Sequence, residues 1–204
     1  MVQSLAQLRR RQVKLAKQVV TRDRFRKIET IGGADCAFLN NKIIGAVIVC
    51  DYETLKIVEK QFVVRKSKLK YIPGYLAFRE GPVIMEAYKK LRTKPDILFI
   101  EGHGLAHPRF CGLASYVGLK LRTPTTGIAK GLLCGKIKRN KVYIGKKLVG
   151  KRLKNIYVSP GHRTSLATAV KIVKNCLRKH RLPEPLYLAH AYADQIKRKC
   201  QSTF

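Results

Sequence analysis

Residues 71–82 read YIPGYLAFREGP and residues 95–108 read PDILFIEGHGLAHP, with a helical pattern between them. This stretch contains Glu80 and Glu101, each directly before a glycine, in a chain that has only 12 acidic residues. A third acid, Asp35, follows an apolar run in the segment IGGADCAF at residues 31–38. We interpret these three carboxylates as a set that converges to hold a divalent metal ion against a phosphodiester.

The composition predicts a single domain over residues 1–204 that binds a polyanion. Hydrophobic residues make up 46% of the chain, which is enough for a buried core, and 43 Lys and Arg give a net charge of +31. Such self-repulsion destabilises a compact chain and favours a polyanionic partner. Basic residues extend from Arg9 to Lys199, and no apolar run approaches the roughly 20 residues that span a bilayer. Nucleic acid is therefore the predicted partner, and a membrane is not.

The spacing of the cysteines argues against a zinc site, and the chain is expected to fold in a reducing environment. Six cysteines occur without the paired CxxC spacing of zinc ligands. No secretory signal is visible, so we expect a cytoplasmic protein. The alternative is a mitochondrial presequence, which the acid-free first 22 residues imitate.

Hydrophobic periodicity predicts alternating helices and strands after an antiparallel meander. A basic amphipathic helix over residues 3–21 comes first, and three strands follow at 31–38, 42–50 and 55–64. The later predictions are helices at 78–91, 110–121, 164–179 and 185–200, strands at 96–100, 125–129 and 156–158, and a basic hairpin at 131–152. We expect Pro82 near a helix start, where a missing N–H is tolerated, and a fully covered strand in IIGAVIVC at residues 43–50.

The segments IGGADCAF, YIPGYLAFREGP, PDILFIEGHGLAHPR, PTTGIAKGLLCG, VSPGHRTSLATA and RLPEPLYLAHAYA resemble endonuclease V in content and in order. The resemblance covers about residues 29–195. It implies an α/β fold of the RNase H-like type, with a mixed β-sheet flanked by helices. It also implies a metal-dependent endonuclease that nicks at the second phosphodiester 3′ to deoxyinosine or inosine, leaving 3′-hydroxyl and 5′-phosphate ends. The implied cofactor is Mg²⁺, with Mn²⁺ as a substitute, and the implied partner is nucleic acid, with DNA containing deoxyinosine favoured over RNA. We expect a monomer that acts in DNA repair.

Two positions depart from the family pattern. Glu101 stands where the family has Asp, which moves a carboxylate outward by one methylene, and Tyr116 stands where members often have His. Because Mg²⁺ demands near-ideal octahedral geometry, the longer side chain can impair it. The alternatives are an inosine- or strand-binding protein with lost cleavage, an inosine-specific ribonuclease, and a basic scaffold of the ribosomal-protein type.

Further catalytic residues are expected where predicted strands end. By resemblance, Lys130 lies beside the metal site, where its ammonium offsets phosphate charge. His162 follows Ser159-Pro160-Gly161 and is predicted to orient or deprotonate the attacking water; the alternative is a loop histidine bonded to backbone. His107 fits a catalytic or a structural role equally, and His103 is interpreted as structural.

Recognition of a flipped hypoxanthine needs backbone groups at close range and tight walls. Glycine permits such close approach, and Leu76 and Leu113 are the predicted walls. The glycines that match the family segments are Gly74, Gly102, Gly104, Gly112 and Gly127. Tyr71, Ile72 and Pro73 are the predicted wedge that fills the vacated stack. The same YIPG sequence also predicts a type II turn, which is compatible with a wedge.

Overall fold

A computed structural model describes residues 4–67 and 69–202. These residues form one nine-stranded mixed sheet with five helices. The strands are β1 Thr30–Leu39, β2 Lys42–Asp51, β3 Ile57–Lys66, β4 Ile97–Glu101, β5 Thr125–Ala129, β6 Lys136–Lys138, β7 Lys141–Ile144, β8 Lys147–Leu153 and β9 Ile156–His162. The helices are α1 Leu5–Ala16, α2 Leu76–Lys90, α3 Leu113–Leu121, α4 Leu166–Asn175 and α5 Glu184–Ser202.

The strand order is β3-β2-β1-β4-β5-β9-β8-β7-β6, and the predicted α/β class with a mixed sheet is confirmed. β4 pairs in parallel with both β1 and β5, whereas the remaining neighbours pair antiparallel. The carboxyl ends of β1, β4 and β5 therefore meet at one edge of the sheet. In open α/β sheets, ligands bind outside that edge.

Side-chain alternation in β4 separates the two faces of the sheet. Leu98 and Ile100 pack in a core cluster with α2 and α3, whereas Ile97 and Phe99 pack in a second cluster with α4 and α5. This follows from the two-residue period of a strand with helices on both sides. The covered central strand is also confirmed, since β2 is buried at eight consecutive residues.

Several predicted boundaries are corrected by tertiary pairing. α1 ends at Ala16 instead of residue 21, and residue 3 lies outside the described part of the chain. The basic hairpin at 131–152 is a three-stranded extension of the main sheet. Ser159–His162 continues β9 instead of ending it, because these residues pair with β5. Pro82 is the seventh residue of α2, beyond the first turn, so it removes one intrahelical hydrogen bond.

The thiols of the core behave as small apolar groups. Cys50, Cys111 and Cys176 are buried and free, and burial raises the pKa of each to about 12. These thiols are therefore uncharged near neutral pH. Within the described residues, no helix is long and apolar enough to cross a membrane.

Helix α5 crosses β1 at Gly33. A Cβ added at Gly33 would lie 2.0 Å from the carbonyl oxygen of Pro185, at the start of α5. Because the obstructing atom belongs to backbone, a side-chain rotation cannot relieve the clash. The close approach therefore sets how α5 lies on the sheet.

We expect Gly33→Ala to lower the free energy of unfolding by about 3 kcal/mol, at the upper end of the usual range for overpacking. Urea denaturation measures this loss. Gly131→Ala is the matched control, because a Cβ there meets no atom within 4 Å. Equal stability of the two variants would contradict the close packing of α5 on β1.

Candidate active site

Parallel pairing brings Asp35 and Glu101 together at the carboxyl edge of the sheet. Ala34 pairs with Ile100, so the next residues of the two strands, Asp35 and Glu101, are neighbours. Lys130 follows β5 at the same edge, and its Nζ lies 4.0 Å from Oε1 of Glu101. Two acids and one lysine from three adjacent strands therefore share this edge, as the sequence predicted.

Glu80, the fifth residue of α2, is buried close to the same edge. Burial raises its pKa to about 8, and the charges of Asp35 and Glu101 add to the rise. Burial also raises the pKa of Glu101 to about 7, with a further rise from Asp35 and an opposing effect of Lys130. The three carboxylates are therefore close enough to repel one another's charge.

The side chains are not arranged as a complete metal-ligand set. Within the described residues, no group of three or more His, Cys, Asp or Glu is placed to hold a metal ion. The prediction that three carboxylates meet at one cation is therefore not confirmed as a coordination geometry. Both oxygens of Asp35 have protein partners: Oδ1 accepts from the N–H of Cys36 at 2.7 Å, and Oδ2 lies 2.6 Å from Nδ1 of His190.

The donor chemistry nevertheless fits a hard divalent cation. Carboxylate oxygens are the ligands that Mg²⁺ and Mn²⁺ prefer. Burial raises the pKa of Glu80 and of Glu101, and repulsion by neighbouring carboxylates adds to the rise; a cation at this edge would relieve that repulsion. The residues present therefore suit such an ion in charge and in atom type.

His190 is a residue of the site that the sequence did not single out. It projects from α5, its hydrogen bond to Asp35 raises its pKa, and its Nε2 lies 3.7 Å from Oδ2 of Asp194 one turn later. The segment RLPEPLYLAHAYA contains it, but a histidine among apolar helical residues gives no local sign of an acid on a distant strand. The i, i+4 spacing of His190 and Asp194 was the available signal.

His162 is not brought to the carboxylates, which corrects its predicted position. It pairs with Thr125 at the start of β5, whereas Lys130 follows the end of that strand. Since β9 runs antiparallel to β5, its carboxyl end lies at the opposite edge of the sheet. His162 instead accepts a hydrogen bond on Nδ1 from the N–H of Val20 at 3.2 Å. This is the backbone-bonded alternative.

A cavity of about 300 Å³ opens beside the carboxylate edge, and Glu101, His103, His107 and Lys130 are part of its wall. Of the predicted base-pocket residues, it is lined by Tyr71, Gly74, Leu76, Gly102, Gly112 and Leu113. Ile72, Pro73, Gly104 and Gly127 are not part of the lining. The cavity therefore joins the acidic edge through Glu101.

Gly104 and Gly127 have a packing role instead. A Cβ at Gly127 would lie 2.4 Å from the backbone nitrogen of Gly104, and one at Gly104 would lie 2.0 Å from the carbonyl oxygen of Pro160. Both glycines therefore permit the loop after β4 to press against β5 and β9. The sequence indicated a close backbone approach correctly, but not its partner.

The YIPG segment forms the predicted type II turn. The N–H of Tyr75 donates to the carbonyl of Ile72 at 3.0 Å, and Gly74 has φ +80. Tyr71, which precedes the turn, is 63% exposed at the cavity rim. An exposed aromatic beside a rigid turn has the form expected of a wedge.

A buried polar network holds this turn to the rest of the molecule. The carbonyl of Gly74 accepts from Nη2 of Arg109 at 2.5 Å and from Nε2 of His107 at 3.0 Å. Gln12 of α1, fully buried, accepts from Nε of Arg109 at 2.6 Å and donates to the carbonyl of Cys111 at 2.5 Å. The amino-terminal helix is therefore linked to the turn through two side chains.

The tautomer of His107 follows from its partners. Its Nδ1 accepts from the N–H of Arg109 at 3.1 Å, so the neutral ring carries its proton on Nε2 and donates to Gly74. Burial lowers the pKa of His107 to about 4, which keeps it neutral. These contacts favour the structural role of the two that the sequence left open.

His103 and Tyr116, which the sequence analysis also singled out, both have contacts that suit a structural role. Nε2 of His103 lies 3.0 Å from the carbonyl of Gly131, and burial lowers the pKa of His103 to about 4. Tyr116 is buried in the core, with its ring centroid 5.3 Å from that of Phe78. Its ring also lies over Gly81, where a Cβ would approach it to 2.8 Å.

We expect His107→Gln to weaken the fall of the free energy of unfolding as the pH is lowered below 7. Because the folded pKa of His107 lies below its usual value of 6.5, its contribution is fully present above pH 6.5 and is lost as the pH falls toward 4. Between pH 7 and pH 4.5, the wild type should lose about 2 kcal/mol more free energy of unfolding than the variant does. Urea denaturation at both values measures the difference, and parallel losses would contradict a neutral, buried His107.

Comparison with known proteins shows the family of this chain. A family model described as Endonuclease V matches residues 13–191. An Endonuclease V from Dictyoglomus thermophilum is 37% identical over 198 residues, which cover 90% of this chain and 87% of the relative. The crystal structure of the Bacillus subtilis Endonuclease V has a TM-score of 0.90 at 26% identity, covering 100% of this chain and 96% of that chain. An Endonuclease V from Ciona intestinalis, in complex with a 24mer DNA containing an inosine followed by a ribo-adenosine, has a TM-score of 0.86 at 27% identity, covering 96% and 98%. The chain, with its two acids and a lysine at one strand edge beside a cavity, therefore belongs to the endonuclease V family of nucleases.

Proposed function

We propose that this protein is a metal-dependent endonuclease that nicks a strand near deaminated adenine. The observation that carries the proposal is the continuity of the site, because Glu101 and Lys130 belong both to the acidic edge and to the wall of the cavity. A base held in the cavity places its own backbone beside the acids. The Ciona relative crystallised with inosine-containing DNA supports inosine as that base.

Asp35, Glu80 and Glu101 would hold the ion, which is Mg²⁺ or, as a substitute, Mn²⁺. When bound, such an ion supplies a nucleophilic water and stabilises charge on the phosphoryl oxygens. Lys130, whose Nζ lies 4.0 Å from Oε1 of Glu101, offsets phosphate charge. His190 orients Asp35 through its 2.6 Å hydrogen bond and replaces His162 in our assignment of site residues.

The cavity is suited to hypoxanthine, which has the N1–H and O6 of guanine but no 2-amino group. Backbone groups beside Gly74, Gly102 and Gly112 line it, with Leu76 and Leu113 as walls. A tight fit excludes guanine by the volume of its extra amino group. Tyr71 would fill the stack that a flipped base leaves, at a cost of a few kcal/mol for unstacking.

We further propose that DNA containing deoxyinosine is the substrate, and that a monomer in the cytoplasm cuts it during DNA repair. The cut falls at the second phosphodiester 3′ to the inosine and leaves 3′-hydroxyl and 5′-phosphate ends. An inosine-containing RNA strand is the alternative substrate, since a flipped-base cavity serves either backbone.

The second candidate function is inosine-selective binding without turnover. Two points favour it: the family resemblance implies a shorter acid at position 101, and the described residues contain no complete metal-ligand set. The general basic scaffold is not supported, because it explains neither the cavity nor the buried acids.

We expect the wild type to nick a deoxyinosine oligonucleotide in the presence of Mg²⁺ or Mn²⁺ and to leave the adenine control intact. Gel analysis of labelled strands gives the cut position. Glu80→Gln should abolish nicking, because an amide of the same size cannot ionise to give the anionic oxygen that the ion would bind, and it should also remove the rise in melting temperature that either ion causes. A folded wild type that cuts with neither ion contradicts the proposal.

We expect Glu101→Asp to increase the rate with Mg²⁺ relative to Mn²⁺, because the shorter side chain suits the ion with stricter geometry. The ratio of initial rates with the two ions, measured for both proteins, tests this. An unchanged ratio means that the extra methylene does not control metal choice. Inosine-selective binding without cutting in either protein would favour the second candidate function.

A further inference from the structure

A second concave surface shares Lys130 with the cavity beside the acidic edge. This basic groove has a volume of about 420 Å³ and is lined by Lys130, Arg152, Lys154, Asn155, Tyr157 and Arg181. Four of the six lining residues are cations and none is acidic. The groove therefore has the charge of a phosphate-binding surface.

Two of the four cations of the groove, Arg152 and Arg181, are held in place before any ligand arrives. Nε and Nη2 of Arg181 donate to the carbonyl of Asn155 at 3.1 and 2.8 Å, and Nη2 also donates to the carbonyl of Lys130. Nε of Arg152 donates to the carbonyl of Lys154 at 3.2 Å. Nη1 of Arg181 has no hydrogen-bond partner within residues 4–67 and 69–202. Fixing these side chains in advance lowers the entropy lost on binding.

Lys130 lies where the cavity and the basic groove meet. It is the residue that lines both the cavity and the basic groove, and its ammonium lies 4.0 Å from Glu101 between them. A strand that places a base in the cavity and a phosphate at Glu101 therefore continues toward Arg152, Lys154 and Arg181. The lining offers guanidinium and ammonium groups suited to backbone phosphate, which carries no sequence information.

We propose that the basic groove binds the backbone of the strand beyond the cut, on the side away from the recognised base. This inference rests on the proposed function for its polarity, because a cut 3′ to the base assigns the groove to the 3′ flank. Arg152, Lys154 and Arg181 contact backbone phosphates there and add affinity for strands that extend past the cut.

The test compares single strands that contain deoxyinosine and end either one nucleotide or eight nucleotides beyond the cut. The double variant Arg152→Met/Lys154→Met leaves the Arg181 bond to Lys130 intact. We expect it to raise KM about tenfold on the long strand and less than twofold on the short one, with kcat unchanged. The salt slope of binding to the long strand should fall by about 1.4, since each phosphate on a single strand contributes about 0.7.

Lys56→Met/Lys89→Met is the matched control, because it removes the same charge from two exposed positions, one directly before the edge strand β3 and one on α2. Equal effects on both strand lengths, or an equal effect of the control, would overturn the inference. So would a dependence on the 5′ flank instead. Fluorescence anisotropy with the same strands and no divalent ion repeats the comparison without turnover. If no protein cuts, the proposed function fails while the anisotropy difference still decides the role of the groove.

Discussion

The parallel pairing of β1 with β4 is the constraint on which the site depends. It places Asp35 beside Glu101 because Ala34 pairs with Ile100 one residue earlier. Since side chains alternate along a strand, a shift by one residue would turn the acid toward the opposite helical layer. Helix α5 supports the same register, because its start presses on Gly33 and its His190 reaches Asp35. Strand pairing and helix packing thus specify one position for the same carboxylate.

The net charge of the whole molecule and the charge of the acidic edge have opposite effects on a bound phosphate. The net charge of +31 attracts a polyanion from a distance, whereas the edge that would meet the phosphate concentrates Asp35, Glu80 and Glu101. The long-range field favours association, whereas the ionised forms of these acids would repel a phosphate unless a cation lay between them. Lys130 partly compensates this repulsion, and the same imbalance explains why a small, highly charged cation suits the site.

Local patterns predicted the elements well and the contacts between them poorly. The strand at Thr125–Ala129 was predicted with its observed bounds, because an apolar run between turn residues carries that information itself. The extension of β9 through Ser159–His162 depends on pairing with β5, which no local pattern reveals, and the same pairing removed His162 from the acids. Glu101 was identifiable because an acid ends an apolar strand. His190 was not, because its partner is 155 residues away in the chain.

Helix α1 precedes the sheet and is not part of it. Its residue Gln12 is nevertheless fully buried, with hydrogen bonds to Arg109 and to the carbonyl of Cys111. A fragment that begins at the first strand would leave Nε of Arg109 and the carbonyl of Cys111 without their partner Gln12, although it would keep every strand. Such a fragment would keep its scaffold and its acids but lose the anchor of the loop at the mouth of the cavity. The smallest fragment that keeps the site intact must therefore begin before Gln12, although the sheet itself begins at Thr30.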